Sequence, residues 1–186
     1  NQLTGEIPES ICDLNLKFWI SINFNVNNNQ LCPPYPSCIG EYVGYQDTTN
    51  CSQGNVTLDY QSGWNLVGLP LEVEDASYNS LFPEALYGTL YSYEGAYDSA
   101  TYLINGEGYW LRFNEEGSTS ISGTPVNELT ISLNEGWNLI SGISIPLDIT
   151  EIQDSDGIII SGTVYGFTSG SYLNTENIEP GKGYWV

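Results

Sequence analysis

The residues able to do chemistry in this chain are four cysteines and a large excess of carboxylates. Histidine is absent, so neither a Ser-His-Asp nor a Cys-His nucleophilic arrangement can be built from these residues, and a zinc site using imidazole is excluded. Cys12, Cys32, Cys38 and Cys51 all fall in the first 51 residues, and the remaining 135 contain none. Their spacings, 19, 5 and 12 intervening residues, lack the paired C-x2-C knuckles of a structural zinc site. An even number of cysteines confined to one segment reads as a disulfide staple made in an oxidising compartment. Three connectivities are open to four cysteines. The expected one joins Cys38 to Cys51 and Cys12 to Cys32.

The carboxylates number 23 against three basic residues, Lys17, Arg112 and Lys182, for a formal charge of -20. That balance argues against nucleic acid as a partner, because phosphate backbones are bound by clustered Lys and Arg. It equally disfavours docking on anionic lipid. Asp154-Ser155-Asp156-Gly157 has the D-x-D-G look of a calcium turn. A full EF-hand loop would carry a bidentate Glu at its twelfth position, where Tyr165 stands, so that motif fails. Asp154 and Asp156 remain a calcium candidate of another kind, with Asp148 and Glu151 in reach if the loop folds back. The simpler reading is a plain turn. No cofactor beyond that calcium is expected. Paired carboxylates can hydrolyse glycosides, but abundant acids make pairs common by chance and no motif marks one. The chain is read as no enzyme.

The elements that must position these groups are strands. Tyr (14), Trp (5), Phe (5), Thr and Ile suit strands, and 20 Gly suit turns, while strong helix formers are scarce. No stretch approaches the roughly 20 apolar residues of a membrane span, so membrane insertion is not expected.

Self-comparison gives the clearest organisation. Gly63-Trp64-Asn65-Leu66-Val67-Gly68 recurs as Gly136-Trp137-Asn138-Leu139-Ile140-Ser141-Gly142. Leu90-Tyr91-Ser92-Tyr93 matches Val164-Tyr165-Gly166-Phe167, and Gly106-Glu107-Gly108-Tyr109-Trp110-Leu111 matches Gly181-Lys182-Gly183-Tyr184-Trp185-Val186. The offsets are 73, 74 and 75. Val56–Tyr60 and Leu129–Leu133 share a period of two, predicting a half-buried strand ahead of each Trp. Asp75–Leu81 with Pro83, and Ile149–Gln153, suggest a crossing loop or single helical turn. The Trp64/Trp137 and Trp110/Trp185 pairs are expected to fill each module's core, with an exposed ligand platform as the other reading. The first copy runs on through Phe113 to a strand-like segment, 118–123, that the second lacks. Continuation of the chain, or a partner strand on the open edge, would supply it.

The front segment resembles a known family. Asn1-Gln2-Leu3-Thr4-Gly5-Glu6-Ile7-Pro8-Glu9-Ser10-Ile11 is similar to the N-x-L-T-G-x-I-P-x-x-I stretch of plant-like or extracellular bacterial leucine-rich repeats. Leu14-Asn15-Leu16, Phe24-Asn25-Val26 and Asn29-Gln30-Leu31 look like one further repeat, the last echoing Asn1-Gln2-Leu3 at a spacing of 28. The proline-rich Cys32–Cys38 segment then resembles the cap that a solenoid needs over its last apolar face. Such a terminus implies repeats upstream. The G-W-N-L-[IV] and G-[KE]-G-Y-W elements resemble a module near the C-termini of large secreted proteins of marine and Bacteroidota-like bacteria. That resemblance implies surface display or adhesion.

The expected fold is mainly β: the end of a leucine-rich-repeat solenoid with a disulfide cap (1–53), then two tandem small sandwich- or barrel-like modules (54–127, and 128–186 cut short). The expected function is a non-enzymatic interaction protein, extracellular or on the cell surface, its repeat array binding and its β modules serving as stalk or assembly unit. The expected partners are a protein or glycan on a surface, or copies of itself. Two alternatives are a self-assembling filament subunit pairing through open sheet edges, and a carbohydrate-binding accessory region of a secreted hydrolase.

Overall fold

Residues 3–14, 17, 24–33, 35–48, 51 and 54–186 are described by the computed structural model, and among them strands dominate, as the composition predicts. Asn1 and Gln2 of the first repeat motif, and Asn15 and Leu16 of the next, lie outside the described residues. The chain divides into two units, Asn1–Gln53 and Gly54–Val186.

In the first unit, β1 (Thr4–Glu6) and β2 (Gln30–Cys32) run parallel, with Gly5 opposite Leu31. Asn29 holds this ladder. Its side chain is buried, accepts the Leu3 N–H at 3.1 Å and donates to the Val26 carbonyl at 2.6 Å, so both ends of the amide are satisfied. Gln46 donates to the Val26 and Val43 carbonyls and accepts from the Leu31 N–H. Ile7, Phe24, Leu31, Ile39 and Val43 form the small core. The ladder sets Leu3 against Asn29, an offset of 26, rather than the 28 of the sequence echo.

Two disulfides close the unit, and their pairing corrects the expected one. Cys12 joins Cys38 and Cys32 joins Cys51, with Cα separations of 5.8 and 5.3 Å. The expectation tied each cysteine to its neighbour along the chain. Instead Cys12, at the end of the 3-10 turn Glu9–Asp13, lies against the turn that follows the prolines, while Cys32 ends β2 and meets the segment leaving the unit. The two bridges interleave. They imply an oxidising environment. No helix among the described residues is long and apolar enough to cross a membrane.

The second unit holds both copies of the repeat. The first contributes β3 (Gly54–Tyr60), β4 (Gly63–Gly68), β5 (Leu71–Glu72), a one-turn helix α1 (Tyr78–Leu81), β6 (Tyr91–Tyr93), β7 (Tyr97–Ser99), β8 (Gly108–Phe113) and β9 (Gly117–Pro125). Antiparallel sheets form in the orders β4-β8-β6-β7 and β3-β9-β5. The second contributes β10 (Leu139–Ser141), β11 (Leu147–Asp148), β12 (Tyr165–Thr168), β13 (Ser171–Asn174), β14 (Asn177–Ile178) and β15 (Gly183–Trp185). Its main sheet, β10-β15-β12-β13, reproduces β4-β8-β6-β7 strand for strand, and β11 pairs with β14.

The repeated Gly-Trp-Asn-Leu has a local cause. Gly63 and Gly136 sit at φ of +91° and +94°, a conformation that a side chain disfavours. Two residues on, the Asn65 side chain accepts from the Gln61 N–H and donates to the Gln61 and Gly63 carbonyls, and Asn138 does the same with Asn134 and Gly136. Each Asn therefore staples the turn that feeds its strand.

Alternation then splits the aromatics between two faces. In β8, Tyr109, Leu111 and Phe113 point into the first copy's own core with Leu58, Tyr60, Tyr78 and Phe82. Trp110, between them, points the other way and packs with Leu66 and Tyr93 against Leu139, Trp185 and Phe167 of the second copy. The expected place of the tryptophans is corrected accordingly: Trp110 and Trp185 lie at the seam between copies, Trp64 and Trp137 are exposed, and tyrosines and phenylalanines fill the first core.

Leu129–Leu133 departs from expectation too. It forms no strand, and Leu129 and Ile131 are exposed. In the first copy the matching β3 is held by seven residue pairs with β9, from Gly54–Gly123 to Tyr60–Gly117. Among the described residues no strand pairs with Leu129–Leu133. A lone edge with no ladder partner does not hold strand geometry.

Candidate functional site

The seam between the copies is built from reciprocal contacts. The Gly68 N–H donates to the Gly181 carbonyl at 2.8 Å, and the equivalent Ser141 N–H donates to the Gly106 carbonyl at 2.9 Å. Val67 lies antiparallel to Lys182, as Ile140 does to Glu107. Tyr93 meets Trp185 edge-on at 4.8 Å and 79°, and Trp110 meets Phe167 at 4.7 Å and 79°. Each contact maps onto the other by the repeat offset, so the copies are related by an approximate two-fold axis. One equivalent pair breaks it. A side chain at Gly68 would put its Cβ 2.0 Å from the Ser141 Cβ, so only one of the two positions can carry one.

Each side of the axis carries a cleft. On the Trp64 side, the β12–β13 turn leans over and the Ser169 N–H donates to Gln61 Oε1 at 3.2 Å, leaving about 210 Å³. On the Trp137 side the space is about 500 Å³ and open, lined by Tyr93, Tyr97, Trp137, Tyr165, Tyr172 and Trp185. Cross-strand pairing places these rings. Tyr93 is opposite Tyr97 with ring centres 5.2 Å apart, and Tyr165 is opposite Trp185. Trp137 stands 5.9 Å from Tyr165 and 6.5 Å from Trp185, nearly perpendicular to the latter. Trp185 is the floor at 8% exposure, and Trp137 is a wall at 52%.

Polar groups here are phenols. Burial first, then the neighbouring Tyr97 phenol, hold the Tyr172 hydroxyl above its usual range, while the Trp185 indole beside it pulls the other way. The Trp185 Nε1–H is itself sealed from solvent, with the Tyr172 hydroxyl the polar group beside it. Among the described residues the hydroxyls of Tyr93, Tyr97 and Tyr165 make no hydrogen bond, whereas core tyrosines spend theirs. Tyr78 accepts from the Gly88 N–H, Tyr184 from the Glu179 N–H, and Tyr109 accepts from Ile104 N–H while donating to Glu107 Oε2.

The acidic candidates from the sequence are elsewhere. Both carboxylate oxygens of Asp154 are taken by backbone, accepting from the Ile158 N–H at 3.0 Å and the Ile159 N–H at 2.9 Å, which pulls its pKa down. Asp156 is exposed beside it. Among the described residues no three metal-ligating side chains converge. Asp148 caps the 3-10 turn Ile149–Glu151 through the Thr150 N–H, and Asp75 holds Ser77 and Ser80 at α1. Among the described residues the carboxylates with a displaced pKa, Asp75, Asp148 and Asp154, are displaced downward, opposite to what a general acid needs.

The sequence named Trp137 and Trp185 but not the four tyrosines around them. A signal existed: Tyr93, Tyr97, Tyr165 and Tyr172 lie in paired short segments bounded by Gly or Ser turns. Comparison with known protein families, with characterised proteins and with solved structures finds no match to this chain.

Proposed function

We propose that this chain belongs to a non-enzymatic extracellular interaction protein, and that the seam of its paired modules, read as small β-sandwich units, is a ligand-binding surface. The observation that carries this reading is the open cleft of about 500 Å³ walled by six aromatic side chains. Apolar clefts of this size rimmed by a few polar groups are where ligands bind. Extracellular placement is supported by the two disulfides. The front unit is read as the end of a leucine-rich-repeat array, supported by its parallel ladder and the buried Asn29 that bonds across it.

The test is direct. The oxidised chain is screened against a panel of extracellular polysaccharides and proteins, beside a Trp137→Ala variant whose melting is followed by circular dichroism. Binding that disappears in the variant while melting is unchanged supports the reading. Binding that Trp137→Ala and Tyr97→Ala leave intact moves the ligand surface elsewhere. Breakdown of a bound polysaccharide by the wild-type chain would overturn the non-enzymatic reading.

A second reading, assembly through sheet edges, is favoured by the unpaired and exposed Leu129–Leu133 segment. A mass that stays monomeric at every concentration, measured by light scattering, would remove it.

A further inference from the structure

Resting on the reading of the Trp137 cleft as a binding site, we infer that its ligand is a neutral oligosaccharide, a chain of uncharged pyranose rings laid against the tryptophan and tyrosine faces.

Charge narrows the class first. No ionisable group other than phenol lines the cleft. The chain's three cations are spent elsewhere: Arg112 lies over the Trp64 ring at 5.9 Å, Lys182 lines the narrower cleft, and Lys17 is in the other unit. A uronate or sulfate would find no cationic partner in the cleft, and the chain's formal charge of -20 disfavours it further.

Shape narrows it next. An aromatic cage for a quaternary ammonium closes around a single point. Here the rings border an open trough of about 500 Å³, with Trp137 standing off Trp185 at 89°. That leaves an L-shaped pair of apolar surfaces, suited to more than one ring. A pyranose presents axial C–H groups from its face and hydroxyls from its rim, so its face seeks an aromatic plane and its rim seeks groups that both donate and accept. Phenols do both. The phenols of Tyr93, Tyr97 and Tyr165, which line the cleft, are its groups of that kind. A polyproline helix, the other ligand of aromatic grooves, offers carbonyl acceptors alone and would use half of that capacity.

The axis supplies the internal control. Trp64 is the repeat equivalent of Trp137 and is 41% exposed, but the space beside it is about 210 Å³ and is lined by Asp59, Gln61, Ser169 and Lys182 as well as by rings. The inference assigns binding to the Trp137 side only.

The experiment is affinity electrophoresis and calorimetry of the oxidised chain with four probes: soluble neutral glucans, mannans and xylans; pectate; chitosan oligosaccharides; and a proline-rich peptide. The expected result is binding to a neutral polysaccharide, weakened at least about tenfold by Trp137→Ala, largely restored by Trp137→Phe, and unchanged by Trp64→Ala. No binding to any neutral polysaccharide overturns the inference. Binding of pectate, chitosan or the peptide that Trp137→Ala abolishes also overturns it, while leaving the cleft itself as the site. Neutral-glycan binding indifferent to Trp137→Ala and Tyr172→Ala overturns both.

Discussion

The two copies of the repeat have the same four-stranded sheet and very different support behind it. In the first copy, β8 lies over a core of fourteen buried residues that includes Tyr78, Phe82 and Phe113, and a second sheet closes it from behind. In the second, five buried residues lie behind β15, and the segment matching β3 is unpaired. Yet the face each sheet turns to its twin is equally well packed, ring for ring. The lesson is that the seam, and not a finished private core, orders the second copy's main sheet.

The sharpest way to break that comparison is at equivalent apolar positions that lie against the other copy's seam glycine, Leu58 on Gly181 and Ile131 on Gly106. Leu58 in β3 is buried, and its repeat equivalent Ile131 is exposed. Leu58→Ala is expected to cost about 2–5 kcal/mol, and Ile131→Ala under about 1 kcal/mol. Urea denaturation of the two variants measures both. Equal costs would mean that Leu129–Leu133 is held more firmly than its exposure indicates.

The seam itself offers a smaller contrast. A Cβ at Gly108 would lie 2.4 Å from the Ile140 carbonyl oxygen, a backbone atom of the second copy, while its equivalent Gly183 would meet Leu66 Cβ and the Val67 carbonyl at 3.1 Å. Gly108→Ala forces the copies apart and is expected to cost about 1–3 kcal/mol. Gly183→Ala should cost less, because tenths of an ångström relieve it. Melting temperatures rank the pair, and a reversed order would mean that the seam can slide.

These contrasts also explain what could be read from the chain. The repeat, the turn-forming Gly and Asn of each copy, the strand pattern of Val56–Tyr60 and the single helical turn at α1 follow from local rules, because each is fixed by residues within a few positions. Trp110 and Trp185 could not be placed that way. Period two says only that neighbours point to opposite faces, and it sets Trp110 on the face of Gly108 and the exposed Arg112, which by itself suggests solvent rather than a second core. That this face is covered depends on a partner 75 residues away. The disulfides fail for the same reason: spacing along the chain says little about which loops lie together, and the bridges interleave. The cleft's tyrosines are invisible until two hairpins are brought to one axis. A period-two strand was expected at Leu129–Leu133 because the pattern is present there, but a ladder needs a second strand.

The smallest effect separates the copies at two carboxylates. Asp75 and Asp148 are repeat equivalents, each capping a single turn, and both have pKa values below the ordinary range for Asp, about 3.9. A depressed carboxyl stabilises the fold above its unfolded pKa, and that contribution is lost as pH falls through the folded value. Both therefore make the unit acid-sensitive below about pH 4, modestly, since both are exposed. Their causes differ in order. At Asp75 the Ser80 hydroxyl acts most strongly, with the Ser77 N–H next; at Asp148 the Thr150 N–H leads and its hydroxyl follows. Ser80→Ala should therefore raise the Asp75 pKa further than Thr150→Ala raises that of Asp148, because it removes the leading cause at Asp75, whereas Thr150→Ala removes only the second at Asp148. Carboxyl carbon shifts followed by NMR from pH 6 to 2 measure each site separately. If Thr150→Ala moved its carboxyl as far as Ser80→Ala does, the hydroxyl would be the main donor in both copies, and the caps would be equivalent where the cores are not.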